Sequence, residues 1–216
     1  MEAVALTYDQ YVKEVLVLRP WKEFALPRHG RVVEIGSGWG WGLSALRSMG
    51  LDAVGLDVDP KGRGAIRGDA TRLPFEPDSF DGAVCLRTLP HIQDDKSVLV
   101  EVARTIRPGG FLLLAVGNRQ SYTLLRLRTK LPRAVPNPSD RFYHLYGRGE
   151  IRSTLNATGF RIVNFRSCHY FPRLLTENGR WTRRSPVDLA REDAALGNNP
   201  LIGLFGPLHL VHGVKR

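Results

Sequence analysis

The residues whose types and spacing could do chemistry begin in VVEIGSGWGWG, residues 32–42. Gly36, Gly38, Gly40 and Gly42 alternate with larger residues, among them Trp39 and Trp41, and Glu34 stands two places before the first glycine. Glycine weakens regular structure, so this run implies a turn that needs positive φ or a ligand lying against bare backbone. Asp57 follows Gly36 by 21 residues, at the end of the next hydrophobic run. A carboxylate there can accept hydrogen bonds from both hydroxyls of a ribose. Its competing role is a turn aspartate ahead of Asp59 and Pro60.

The elements that must position these residues alternate in type. RVVEI, DAVGLDV, AIRGD, FDGAVCL, FLLLAVG, RIVNF and LHLVHGVKR read as strands, most of them continuous apolar runs bounded by glycine. TYDQYVKEVLVL reads as an amphipathic helix with Thr7 and Gln10 spaced as a capping box. GWGLSALRSMG and GEIRSTLNATGF read as helices, as does DDKSVLVEVARTIRPGG, with Val98, Val102 and Ile106 on one face and a stop at Pro108. Strands without strict alternation, separated by helices, imply a mostly parallel sheet covered on both faces. The glycine run then opens a helix at the carboxyl end of the first strand, where such sheets bind ligands and free N–H groups point outward.

Composition narrows the class. The 216 residues hold 43% apolar side chains and suffice for one domain with a sizeable core. The longest apolar run, Phe111–Val116, is far short of the roughly 20 residues of a membrane span. The start, MEAVALTYDQ, has no basic n-region or cleavage site, and a cytoplasmic protein is expected. Cys85 and Cys168 have no paired spacing, so no metal site is expected, and Cys85 reads as a buried thiol. Residues 1–118 carry 14 basic and 15 acidic side chains, and residues 119–216 carry 17 and 6. The net charge of +10 therefore belongs to the second part, which suits an anionic partner or an arginine-rich solvated surface.

VVEIGSGWG, GLDVDP, GDATRLPFEPDSFDGAVCLRTLPHI and ARTIRPGGFLLLAVGN, in this order, resemble the successive motifs of class I S-adenosylmethionine-dependent methyltransferases. The nearest likeness is to the branch that includes UbiE- and UbiG-like enzymes, over roughly residues 30–167. That resemblance implies a three-layer, Rossmann-like α/β fold with a mostly parallel seven-stranded sheet, helices on both faces and an antiparallel last strand. It implies one domain over 1–216, with a helical lid at 1–29, a cofactor-binding half at 30–118 and a substrate-side half carrying insertions 119–146 and 168–206.

The resemblance also implies S-adenosyl-L-methionine as cofactor and assigns its contacts. Gly36, Ser37 and Gly38 pass under the methionine and ribose, Glu34 orients that loop or the amino group, and Asp57 holds the ribose hydroxyls. Val58 packs on the adenine, Asp69 accepts from its amino group with Ala70 beside it, Leu86 offers a carbonyl to the methionine amino group, and Arg87 faces the pocket. His91 stands where the family often writes histidine and is the candidate general base; Tyr8 and Tyr11 are candidate lid residues or core, and Tyr11 is the second catalytic candidate. Trp39 and Trp41 are expected to pack the following helix onto the sheet, with a place beside the sulfonium as the other role.

One departure is plain. Only 11 residues separate Asp57 from Asp69, too few for the helix the family places there, and a proline and three glycines argue for a turn instead. The adenine side is expected to be open, which weakens the Val58 contact.

The acceptor is expected to be a small molecule, anionic or lipid-linked. An RNA acceptor is the alternative, because basic residues interleave with aromatics after position 119. A protein acceptor or a non-catalytic role comes behind both. A dinucleotide oxidoreductase fits poorly: Glu34 stands where such enzymes are usually apolar, and a G-x-G-x-x-A frame at Gly40–Ala45 starts too deep in the helix.

Overall fold

The computed structural model describes residues 8–121, 143–168, 206 and 208–216. The Thr7 cap and most of both expected insertions lie outside these residues.

Seven strands form one sheet: β1 (Arg31–Ile35), β2 (Asp52–Asp57), β3 (Ala65–Arg67), β4 (Phe80–Leu86), β5 (Ile106–Gly117), β6 (Phe160–Cys168) and β7 (Leu208–Lys215). Their order is β3-β2-β1-β4-β5-β7-β6. The first five strands pair in parallel, whereas β7 runs antiparallel to both β5 and β6. Both faces are buried, which explains the unbroken apolar runs. Val33, Ile35, Ala83, Cys85, Leu112 and Leu114 point to one face, into the cluster closed by helices α4 (Asp95–Thr105) and α5 (Arg148–Ala157). Val32, Val84, Phe111 and Leu113 point to the other, against Leu43 and Leu46 of helix α3 (Trp41–Ser48).

The N-terminal segment is helical for longer than its apolar pattern suggested. Helix α1 (Tyr8–Tyr11) widens into a π-helical stretch, Val12–Leu18, and returns to α-helix in α2 (Arg19–Glu23). Pro20, which has no N–H to donate, falls where the wide turns hand over to α2. Val12, Val15 and Leu16 pack on Ala115, Leu208 and Leu210, while Val17 and Trp21 join the α3 side. Trp21 meets Phe111 edge to face at 5.3 Å and donates its indole N–H to the Pro27 carbonyl.

Two expectations need correction. The Val98–Val102–Ile106 stripe is shorter than expected, because α4 ends at Thr105 and Ile106 already pairs with Phe80 as the first residue of β5. Register is then recovered across a bulge, with Gly82 opposite Phe111. Trp39 does not pack a helix onto the sheet: it is 64% exposed and stacks on Trp41 at 6.0 Å. Only Trp41 reaches the core, beside the Val12–Leu16 cluster. The turn expected after β2 is present, since no helix separates β2 from β3. Among the described residues no helix is long and apolar enough to cross a membrane, and no His, Cys, Asp and Glu group is arranged to hold a metal ion.

Candidate functional site

An open cavity of about 720 Å³ lies at the carboxyl ends of β1, β2 and β4. Glu34, Gly36, Ser37, Gly38, Asp57, Val58, Asp69, Ala70, Leu86, Arg87 and His91 all line it. Backbone ends and turns bring these residues together from four separate stretches of chain. Tyr11 lies in α1, and its side chain is outside the described residues.

Glu34 is the last but one residue of β1 and turns toward α3, away from solvent. It is 3% exposed; one oxygen takes the Leu43 N–H, and Oε2 is buried with no hydrogen-bond partner. Burial, with the nearby Asp57 charge adding to it, pushes its carboxyl up to about 8. Ser37 Oγ, also in the wall, is likewise buried and unpartnered. Two such atoms in one cavity wall mark a place for a polar ligand group.

The glycine turn is tight. Gly36 has φ 74°, and a Cβ on it would lie 2.0 Å from Thr88 Oγ1. The Gly36 and Ser37 N–H groups both donate to the Leu56 carbonyl, which ties the turn to β2. Asp57 ends β2 beneath it, with Oδ2 accepting from Gly38 N at 2.8 Å and Oδ1 from Asp59 N at 2.9 Å. Both oxygens keep further acceptor capacity toward the cavity. Thus Asp57 does form the turn, and it lines the site as well.

Asp69 Oδ1 accepts from both the N–H and the hydroxyl of Thr71, and those two bonds hold its carboxyl below the ordinary value. Val58 is in the wall but 74% exposed, because the connection from Val58 to Gly64 lies flat: Lys61 N and Gly62 N donate to the Gly38 carbonyl. Past β4, Arg87 takes φ 60°, rare for a side-chain-bearing residue, and its N–H is held by the Ala115 carbonyl at 2.8 Å. His91 closes a 3₁₀ turn, Leu89–His91, through His91 N to Thr88 O.

The sequence reading missed Thr71, Thr88, Gln93 and Asp94, which also line the cavity. Thr71 was findable from its place two residues after Asp69, where a hydroxyl completes an Asx turn. Thr88 gives no sequence signal: it matters through contact with Gly36, 52 positions away.

The wall suits a cationic sulfonium cofactor. It holds the carboxylates of Asp57, Asp69 and Asp94 and the buried Glu34 carboxyl against the Arg87 guanidinium, and the unpartnered Glu34 oxygen suits an ammonium group.

Comparison with known proteins agrees. Residues 33–114 match a family model described as a methyltransferase domain. The chain is 33% identical over 123 residues to a demethylmenaquinone methyltransferase of Mycobacterium sp. (strain KMS), covering 52% of each protein. It is 24% identical over 160 residues to a ubiquinone biosynthesis O-methyltransferase of Aeromonas salmonicida, covering 66% of this chain and 67% of the relative. The chain spans about half the length of the demethylmenaquinone methyltransferases it matches. A methyltransferase structure from Archaeoglobus fulgidus shares the fold with a TM-score of 0.65 at 16% identity, over 94% of both chains. Domain match, relatives and fold together support a class I S-adenosylmethionine-dependent methyltransferase.

Proposed function

We propose that this protein transfers a methyl group from S-adenosylmethionine to a small-molecule acceptor, and that the acceptor is an aromatic ring of the kind named in its relatives, a demethylated quinone or a ubiquinone precursor. One observation carries the reading: every residue that the motifs assign to the cofactor lines a single cavity, and two buried polar atoms there have no partner among the described residues.

The cofactor supplies an already activated methyl group on a sulfonium centre. Asp57 accepts from the two ribose hydroxyls, Asp69 accepts from the adenine amino group through its second oxygen, and Val58 and Ala70 pack on the ring. Glu34 Oε2 and the Leu86 carbonyl take the amino group. The turn at Gly36–Gly38 lets the backbone approach closely, and Arg87 faces the cofactor from the strained position after β4.

Transfer then depends mostly on holding the acceptor in line at about 3–3.5 Å. Val12, Leu16, Trp41 and Leu86 make that part of the wall apolar, which suits a ring more than a phosphate. His91 would take the proton of an acceptor hydroxyl as general base, a contribution typically worth about 10²- to 10⁴-fold. The N-terminal helices cover this end as a lid.

Calorimetric titration with S-adenosylmethionine and with its demethylated product tests the reading. Micromolar binding of both is expected, and no binding of either would overturn it. A radiolabelled methyl group then tests demethylated quinols, catechols and RNA as acceptors. An RNA acceptor would show affinity that falls steeply with salt, whereas a pocket ligand would not.

A further inference from the structure

His91 is in the cavity wall, and its ring meets that of Tyr143, which is not a lining residue. The two rings meet at 4.9 Å between centroids with planes 79° apart, an edge-to-face contact. The turn carrying His91 is fixed through its backbone, by His91 N to Thr88 O at 3.0 Å and His144 N to Pro90 O at 2.8 Å. Its side chain is exposed at the cavity edge and packs on the Tyr143 ring. Tyr143 is therefore a neighbour able to set the imidazole's orientation.

The fold makes room for this contact. β5 ends in Gly117, where a Cβ would lie 2.6 Å from Leu145 Cδ2 and 3.2 Å from the Tyr143 hydroxyl. A side chain at 117 would push both residues out of place. The segment around Tyr143 is also anchored without it: Tyr146 N donates to the Gly117 carbonyl at 2.9 Å, Tyr146 OH donates to Asp95 Oδ2 at 2.7 Å, and the His144 ring bonds Glu150 at 2.7 Å. Tyr146 is fully buried and does the structural work, leaving half-buried Tyr143 to face His91.

We propose that Tyr143 is a positioning residue, whose ring holds the His91 imidazole in one orientation at the acceptor end of the cavity. The inference rests on the reading of His91 as the base. The phenol ring supplies the orienting surface, so Tyr143→Phe keeps the function and Tyr143→Leu loses it.

The test uses the full chain with S-adenosylmethionine bound and reads the His91 ring by NMR, assigned with His91→Asn. Wild type and Tyr143→Phe are expected to show one ring orientation, from the nuclear Overhauser pattern of its C–H groups, and Tyr143→Leu an averaged one. A single unchanged orientation in Tyr143→Leu overturns the proposal, provided that thermal melting shows that variant folded. Melting of that variant is met by reading Tyr143→Met, which keeps most of the volume without a ring, against the same criterion. With catechol and 1,4-dihydroxynaphthalene as probe acceptors, Tyr143→Leu is expected to lower kcat at least about tenfold without changing cofactor Kd. Combined with His91→Ala it should add no further loss, because the two residues act as one unit. Equal losses in the Phe and Leu variants would overturn the ring's role in favour of the hydroxyl. A His91→Ala variant with undiminished kcat would sink the base reading instead, and the NMR result would stand apart from it.

Discussion

Gly42 and Glu34 fit each other as knob and gap: a Cβ on Gly42 would lie 2.0 Å from Glu34 Oε1. The fourth glycine of the run thus exists because of the acid at its head, eight residues earlier. In an ordinary helix Gly→Ala would stabilise by roughly 0.5–1 kcal/mol. Here Gly42→Ala is expected to lower the melting temperature and to weaken S-adenosylmethionine binding at least about tenfold. A more stable variant with unchanged Kd would show that Glu34 is free to move aside.

Glu34 makes stability depend on pH in an unusual direction. The unfolded chain gives up this proton near 4.5, whereas the folded chain keeps it to about 8. Between those values the native state binds more protons, so this group's contribution falls as pH rises, by up to about 1.4 kcal/mol per unit. Glu34→Gln removes that slope. Urea unfolding of both proteins at several pH values should find the Gln variant gaining on wild type from about pH 5 to 8.

The same group links binding to protons. A cationic amino group favours the carboxylate form, so cofactor binding below pH 8 should release a proton from Glu34. Titrations near pH 6.5 in buffers of different ionisation enthalpy measure that release directly. It should vanish in Glu34→Gln; an equal release in both proteins would place the proton elsewhere.

Asp57 both shapes the turn and, in the proposed reading, grips the ribose. Hydrogen bonds to a charged group are worth roughly 1.5–3 kcal/mol, so Asp57→Ala should weaken cofactor binding about 10- to 100-fold. Asp57→Asn keeps an acceptor for the Gly38 N–H and should fall between. Calorimetry on the three proteins decides, and equal affinities would remove Asp57 from the site.

Cys85 lies fully within the sheet, and burial pushes its thiol up to about 12. In a Cys168→Ser background, a thiol reagent at about pH 8 should leave the native protein unmodified and label it on unfolding. Labelling of the native protein at the rate of a free thiol would contradict that burial.

Much of this was legible in the sequence because the information was local. Buried parallel strands write themselves as largely apolar runs without strict alternation, and β1, β2, β4 and β5 do so. Asp57, Asp69 and the glycines follow such runs at fixed offsets, so their convergence on one cavity could be expected. The absent helix after β2 was equally plain, from 11 residues and a proline. What could not be read depends on partners far away in the chain. The bulge that starts β5 at Ile106 answers the pairing of Phe80, and the π-helical turns keep Val12 and Val17 on different neighbours. Of the two roles expected of Trp39, packing fails because the ring is exposed, and the other stays open because it lines the cavity.

The flat connection from Val58 to Gly64 has a further consequence for the choice of cofactor. In the proposed reading, a purine lying against Val58 and Asp69 would have no helix between β2 and β3 beside its outer edge. Substituents built outward from that edge would meet no β2–β3 helix, so enlarged cofactor analogues should be accepted on this side. In that reading, the shortening that removes a wall from the nucleotide site should also make the protein permissive toward labelled cofactors, a practical handle for capturing its acceptor.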